Sequence, residues 1–531
     1  MTKYIRLAAF SAGLLLGTAT AVVYGAIPAD TLVIAKNIDD IISLDPAEVF
    51  EITGGELINN LYTRLVTHDT KDFTKLVGGV AESWVVSDDG STITFKIRKG
   101  QTFASGNPVT AQDAAYSLQR VVALNKTPAF ILTQFGWTPE NVKELVKAVD
   151  DETLAVTLKQ KFAPTLVLNA LSAGVGSVVD SKLVQSKESN GDWGYEWLKT
   201  SSAGSGAYSL LEWKPKEAVA LQASKTYYLG APALNQVVVR HVPEAATQRL
   251  LLEKGDVDIA RNLQPDQIDA LSATGNFTVS SEPKQTVIYL GLNTKKAEFA
   301  NPKVREAVRW LVDYDGLASS VLKGQYKVHQ AFLGEGIYGA LNDNPFKLDA
   351  EKAKVALKEA GVEGGFNLNL DIPNSPPFLD IGQSIQATFK QAGVNVELVQ
   401  SDQKQVLTKY RARNHDAVLI YWSPDYLDPH STADYFARNP DNSDGASAKT
   451  LPWRNTWDIP ELTKQADAAA LEADTEKRAL AYRDLQATLQ KDSPLAVLFQ
   501  QVEVSVLGKN VSGFISGPTF DTVTYAGVKK Q

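Results

Sequence analysis

The segment from Phe366 to His430 decides the fold class. Within it FNLNLDI (366–372), VNVELV (394–399) and DAVLIY (416–421) read as strands, and the last runs straight into WSPDYLDPH (422–430). Helical periodicity fills the intervals, over about 381–392 and about 404–413. Strands that alternate with helices pack as a parallel sheet joined by right-handed crossovers, so this part of the chain is α/β. The loop after the third strand is crowded with Trp422, Asp425, Tyr426, Asp428, two prolines and a histidine. In open α/β sheets, ligands occupy the crevice outside the carboxyl ends of the strands, which is where this loop is expected.

Toward the N-terminus the texture changes. TLVIA (31–35) reads as a strand, SLDP (43–46) as a turn and Glu56–Leu65 as a helix. Two alternating runs flank Asp88-Asp89-Gly90, a hairpin signal, and GAYSLLEWKPKEAVALQAS (206–224) alternates in the same way. Thr110 is a suitable N-cap for a helix over Ala111–Leu124. Asn301 and Pro302 have the residue types of an N-cap and a first helical position, with Val304, Val308 and Leu311 on one apolar face. Near the C-terminus a helix is expected from Thr475, with Tyr482, Leu485 and Leu489 at helical spacing, followed by a strand at PLAVLFQ (494–500).

At 531 residues the chain exceeds what one hydrophobic core usually organises. No solenoid repeat or long low-complexity linker stands out, so two or three interleaved domains are expected. The formal net charge of −8 and the absence of a dense Lys/Arg run argue against nucleic-acid binding. Lys3 and Arg6 precede an apolar run, Leu7–Leu16, and small-residue cleavage positions follow. Residues 1–26 therefore read as a signal peptide, cut after residue 21 or 26. Removing its two cations would take the charge from −8 to −10. There are no cysteines, so disulfides, thiolate metal sites and a lipid-anchored N-terminal cysteine are excluded. The expectation is a protein free in the periplasm.

The sequence has no G-x-S-x-G elbow, no H-E-x-x-H and no G-x-x-x-x-G-K-[ST] loop. Asp441–Gly445 lacks EF-hand ligand spacing, and His415 with His430 is too few ligands for a metal site. Asp425 and Asp428 could be imagined as a glycosidase pair, but such pairs come from separate segments. The chain is expected to bind rather than catalyse, with no catalytic residue, metal ligand or cofactor.

Several fragments, in order, resemble one family. SLDPA (43–47) with INNLYTRLV (58–66), then the run from Val80 to Val121 (VAESWVVSDDGSTITFKIRKGQTFASGNPVTAQDAAYSLQRV), come first. GSGAYSLLEW (204–213), LEKGDVDIA (252–260), LGLNT (290–294) and NPKVREAVRWLVDYDGL (301–317) follow. Together they resemble the family 5 bacterial extracellular solute-binding proteins, the peptide/opine/nickel class that feeds ATP-driven importers. The resemblance implies a two-lobe periplasmic binding protein fold (type II, cluster C) with an extra subdomain in the first lobe. Lobe 1 would comprise 27–66, 204–292 and 493–531, the inserted subdomain 67–203, and lobe 2 293–492. It also implies a ligand held between lobes that close by a hinge, a permease with ATPase subunits as partner, and a monomer. Asp45-Pro46, Trp84, Gly90 and Arg305 would be structural.

In peptide-binding relatives an aspartate in the loop after a strand grips the ligand's α-amino group, and the pattern from Trp422 to Pro429 resembles that loop. This puts Asp425 in the role. A carboxylate suits it, because an ammonium leaving water needs a fixed counter-charge. Tyr426 and Trp422 would add aromatic faces, with Trp422 open between pocket wall and core. Asp428 reads as an N-cap. The arginine that dipeptide-selective relatives place early in the helix before QAGVNVEL is missing from Ser375–Gln383, so a strict dipeptide binder is not implied. Arg454, between Trp453 and Trp457, is the candidate to hold a ligand carboxylate; the competing reading is a surface arginine beside core tryptophans. A peptide or amine-bearing conjugate is the expected ligand, with a sugar, an aromatic compound or a metal chelate as the alternative.

Overall fold

The computed structural model describes residues 27–531, so the expected signal peptide lies outside the described residues. Eleven strands join in one mixed sheet. They are β1 (Thr31–Lys36), β2 (Tyr208–Lys214), β3 (Ala218–Ala223), β4 (Gln236–His241), β5 (Ile259–Ala260), β6 (Phe277–Leu292), β7 (Tyr326–Val328), β8 (Asn367–Pro373), β9 (Asn395–Ser401), β10 (Ala417–Trp422) and β11 (Leu495–Gly508). The spatial order is β9-β8-β10-β6-β11-β5-β1-β4-β3-β2, with β7 on β11. The expected parallel pairing is present: β8 runs parallel to β9 and β10, and β1 runs parallel to β4 and β5.

Two long antiparallel strands carry this sheet from one lobe to the other. β6 and β11 pair from Phe277↔Gly508 to Pro283↔Val502, lose register, and pair again from Val287↔Gln500 to Gly291↔Leu495. The crossings expected near Asn293 and Ser493-Pro494 fall at the lobe-2 ends of these strands, while the break in pairing lies at 284–286. There the backbone N–H of Gln285 turns to the carbonyl of Pro518 instead, at 2.9 Å. A break in a two-strand ladder is where a shared sheet bends most easily.

Separate apolar cores lie on either side. Lobe 1 packs Leu32, Ile34, Val237, Val239 and Tyr525. Lobe 2 has one core around Leu370, Ile372, Ile385 and Leu419 and another around Tyr289, Phe436 and Tyr482 on the opposite sheet face. The inserted subdomain has its own core, in which Phe95, Phe103, Phe135 and Trp137 are buried. Each such side chain contributes about 1.5–3 kcal/mol by leaving water, enough for the subdomain to hold its shape. Its four-stranded sheet includes the antiparallel pair Ala81–Val86 and Thr92–Ile97, with Gly90 at φ +71° in the turn. Residues beyond Val178, including Val184 and Leu198, pack instead in the lobe 1 core.

Local signals act where expected. The helix Ala111–Leu124 starts with Thr110 N donating to Asp113 Oδ2 at 2.9 Å. The helix Pro302–Trp310 starts with Lys303 N donating to the Asn301 side chain at 2.9 Å. The helix expected at Glu56–Leu65 is displaced to Ile52–Leu61. Leu65 N is drawn to the carbonyl of Gly176 and Thr63 O to the N–H of Val178, so tertiary hydrogen bonds pull the chain out of the helix at Tyr62. Asp45, buried in its turn, holds Arg120 by two bonds of 2.6 and 2.5 Å and so fastens the subdomain helix to lobe 1.

Candidate functional site

β10 is apolar because it lies between β8 and β6, and its first four residues are buried. The chain leaves the sheet at Trp422, and the helix Pro429–Phe436 begins seven residues later. Asp428 caps that helix, accepting from His430 N at 2.8 Å. The intervening loop is pinned at two points. Ser423 Oγ lies 2.7 Å from Thr286 Oγ on β6, beside the break in the ladder. Ser431 Oγ accepts the backbone N–H of Asp425 at 2.8 Å. The Asp425 backbone is thereby held in place, while its carboxylate makes no hydrogen bond or ion pair among the described residues.

Asp425 lines a small cavity of about 20 Å³ walled by Phe50, Ile131, Val175 and Phe520 from lobe 1 and the inserted subdomain. Burial, with a smaller contribution from the Asp434 charge, pushes its pKa up to about 7. An unpaired carboxyl at the meeting of three parts of the fold is poorly solvated until a cation arrives.

Phe520 also lines a larger open cleft of about 380 Å³, so the two spaces adjoin. Its lobe 2 wall includes Tyr326, Asp380 and Pro424, and its lobe 1 wall Lys36, Glu56 and Arg261, with Lys284 from β6 and Glu503 from β11 also lining it. Lys36 is the last residue of β1 and Arg261 follows β5 directly. Both stand at carboxyl ends of adjacent parallel strands, the position expected of a ligand crevice. Arg261 reaches Glu56 at 2.8 Å and bonds Glu503; Lys284 reaches Glu503 at 2.7 Å. Burial would raise the Glu503 carboxyl, but Arg261 and Lys284 outweigh it and hold it well below the usual range.

The other sequence candidates are placed differently. Tyr426 is buried in the core of the inserted subdomain, its hydroxyl 3.4 Å from Gln134 Oε1. Trp422 lies against Tyr435 at 4.2 Å between ring centroids, and its buried indole N–H has no acceptor among the described residues. Trp453 is buried under the Arg413 guanidinium and donates to Ser443 O at 2.7 Å. Arg454 donates to Lys449 O at 3.0 Å and covers the Tyr410 ring. Of the five candidates, only Asp425 is among the residues lining these two spaces. His415 bonds Asn455, and His430 packs near Tyr482, with no shared contact between the two histidines among the described residues.

A comparison with protein families matches residues 75–444 to the bacterial extracellular solute-binding proteins, family 5. The chain belongs to this family. Among curated relatives, the probable D,D-dipeptide-binding periplasmic protein DdpA of Escherichia coli is 29% identical over 520 residues, covering 96% of each chain. Heme-binding protein A of Haemophilus influenzae is 26% identical over 504 residues, 90% of this chain and 88% of that one. Among solved structures, HbpA2 of Haemophilus parasuis superposes with a TM-score of 0.79 at 22% identity, over 94% of this chain and all of that one. The Helicobacter pylori protein DppA, in complex with the peptide STSA, gives 0.77 at 23% identity, over 94% and 98%. These structures share the two-lobe fold, and the cleft described above lies between its lobes.

Proposed function

We propose that this protein is the periplasmic substrate-binding component of an ATP-driven importer, and that its cargo is a peptide or other amino-acid conjugate with a free amine. It works as a monomer and hands its cargo to a permease with ATPase subunits. The reading rests on Asp425, whose backbone is fixed by its loop and whose unpaired carboxylate belongs to a residue lining the interlobe space. An ammonium placed there would gain a charge-assisted bond where water is largely excluded. Peptide-binding names among the relatives, and the peptide in the H. pylori structure, agree with it. Asp428 cannot join Asp425 as a catalytic pair, since its oxygens are committed to Arg478, Asn169 and Tyr338. Family 5 is a family of binding proteins, and transport without turnover is the role proposed here.

The test is calorimetry with short peptides carrying a free or an acetylated N-terminus. Free peptides are expected to bind and acetylated ones to lose at least about 100-fold, the usual scale for leaving a buried charge unpaired. Equal affinity for both would sink the reading. The pH profile is a second expected result. Binding needs the Asp425 carboxylate, with its pKa of about 7, and a protonated α-amine, with a pKa near about 7.8. Affinity should therefore peak between about pH 7 and 8 and fall several-fold by about pH 6 and again by about pH 9.

A further inference from the structure

The lobe 1 side of the larger cleft carries more positive than negative charge. Lys36, Arg261 and Lys284 face only Glu56 and Glu503, three cations against two carboxylates. The arginine is paired with both carboxylates, Nη1 on Glu56 and Nε and Nη2 on Glu503. Lys284 is used as well, bonding Ser516 O, Ser516 Oγ, Gly517 O and Glu503. Lys36 is not. Its ammonium has three hydrogens to give, and among the described residues its one partner is Glu56 Oε2 at 2.5 Å. Yet its side chain is only 7% exposed and lines the cleft. Tyr525 gives its hydroxyl proton to the other Glu56 oxygen, at 2.5 Å, so Glu56 offers no further compensation. A buried ammonium with unused donors, beside a surplus of positive charge, is costly until an anion meets it.

The opposite wall has the complementary sign. Asp380 lines the lobe 2 wall of this cleft and Asp425, also of lobe 2, the adjoining smaller space, and neither carboxylate has a hydrogen-bond or ion-pair partner among the described residues. The ligand space thus runs from a cationic wall on one lobe to unpaired carboxylates on the other.

We infer that Lys36 is a specificity-determining residue that receives a carboxylate of the ligand on lobe 1 while the ligand's amine is held on lobe 2. The ligand class is a zwitterion that bridges the two lobes. This rests on the peptide reading given above for the Asp425 end and adds the anionic end.

The probes are trialanine, its C-terminal amide, its N-acetyl derivative and Ala-Ala-Glu amide, titrated into the full chain. Wild type should bind the free acid at least about tenfold tighter than the amide, a difference of about 1.4 kcal/mol. In Lys36→Met the free acid should fall to the affinity of the amide, removing the preference. Lys36→Arg, which keeps the charge and guards against a folding defect in the methionine variant, should retain the preference. If Ala-Ala-Glu amide recovers the lost affinity in wild type alone, a side-chain carboxylate serves as the anion; if it does not, the terminal carboxylate is the one read. Wild type binding acid and amide within twofold, or Lys36→Met keeping the full preference, overturns the inference and leaves the Asp425 reading standing. Equal binding of free and N-acetyl peptides overturns the Asp425 reading instead, and failure of wild type to bind any probe overturns both.

Discussion

Asp425→Asn is expected to make the unliganded protein more stable above pH 7 and to abolish its response to ligand. The folded Asp425 carboxyl has a pKa of about 7, against 3.8 for its ordinary value, chiefly because burial disfavours its charge. The direction follows from proton binding. Between these values the folded chain holds a proton that the unfolded chain has released. The contribution of this group is therefore most favourable below the unfolded pKa and is lost as pH rises through the folded one. At about 1.4 kcal/mol per unit the loss would be a little over about 4 kcal/mol for a sealed site; the partial exposure of Asp425 reduces it to about 2–3 kcal/mol. Asparagine has the same shape and carries no charge, so the variant should melt closest to wild type below about pH 4 and furthest above it at pH 8. The same change removes the counter-charge for an ammonium, which costs about 3 kcal/mol or about 100-fold in affinity. Scanning fluorimetry at the two pH values and calorimetry with a free-amine peptide read the two effects separately. Equal melting at pH 8 together with undiminished affinity would remove Asp425 from the site. The expected pairing of higher stability with lost binding is the mark of a group whose local cost serves function.

The position of Asp425 beside an interlobe space was legible because two independent signals met on it: a strand that ends one loop earlier, and a resemblance in the loop itself. The strands, the Asp88–Gly90 turn and the caps at Thr110 and Asn301 were legible because each depends on residues within about one turn of chain. What was not legible depends on distant partners. Tyr426 sits next to Asp425 in sequence but on the other side of the loop, where Gln134 of the inserted subdomain and its apolar neighbours cover it. Trp453 and Arg454 had the right residue types for a pocket, yet Arg413, Ser443 and Tyr410 gather them elsewhere. Lys36 was the last residue of a strand and Arg261 followed another, each a single cation without a motif. Their convergence on Glu56 spans 205 residues for Arg261 and 20 for Lys36, and only the order of strands in the sheet brings them together. The strand-end rule that drew attention to Asp425 applies equally to Lys36 and Arg261, and could have found them had β1 and β5 been recognised as parallel neighbours.

The second large effect concerns Asp428, which the fold uses as a bolt. Its carboxylate takes two bonds from Arg478, at 2.9 and 2.6 Å, one from Asn169 at 2.9 Å and one from Tyr338 at 3.1 Å, besides capping its own helix. Both side chains of the ion pair are fully buried. Asn169 lies on the subdomain helix Pro164–Leu171, and Arg478 also reaches Thr165 of that helix at 3.2 Å, so the pair fastens the inserted subdomain to lobe 2 next to the ligand loop. Asp428→Ala and Arg478→Ala should each cost about 3–5 kcal/mol, because either leaves a buried charge uncompensated. Replacing both, with Asp428→Asn and Arg478→Met, should cost less than the sum of the two single losses. Burial alone would raise the Asp428 carboxyl, but Arg478 overcomes this and holds it below its ordinary value. Its contribution is accordingly present above about pH 4 and disappears as pH falls below that. The gap in denaturation midpoint between Asp428→Ala and wild type should be full at pH 7 and shrink toward pH 3. A loss under about 1 kcal/mol at pH 7, or a gap that does not narrow in acid, would mean that the subdomain is held by its apolar contacts alone and that Asp428 merely caps a helix.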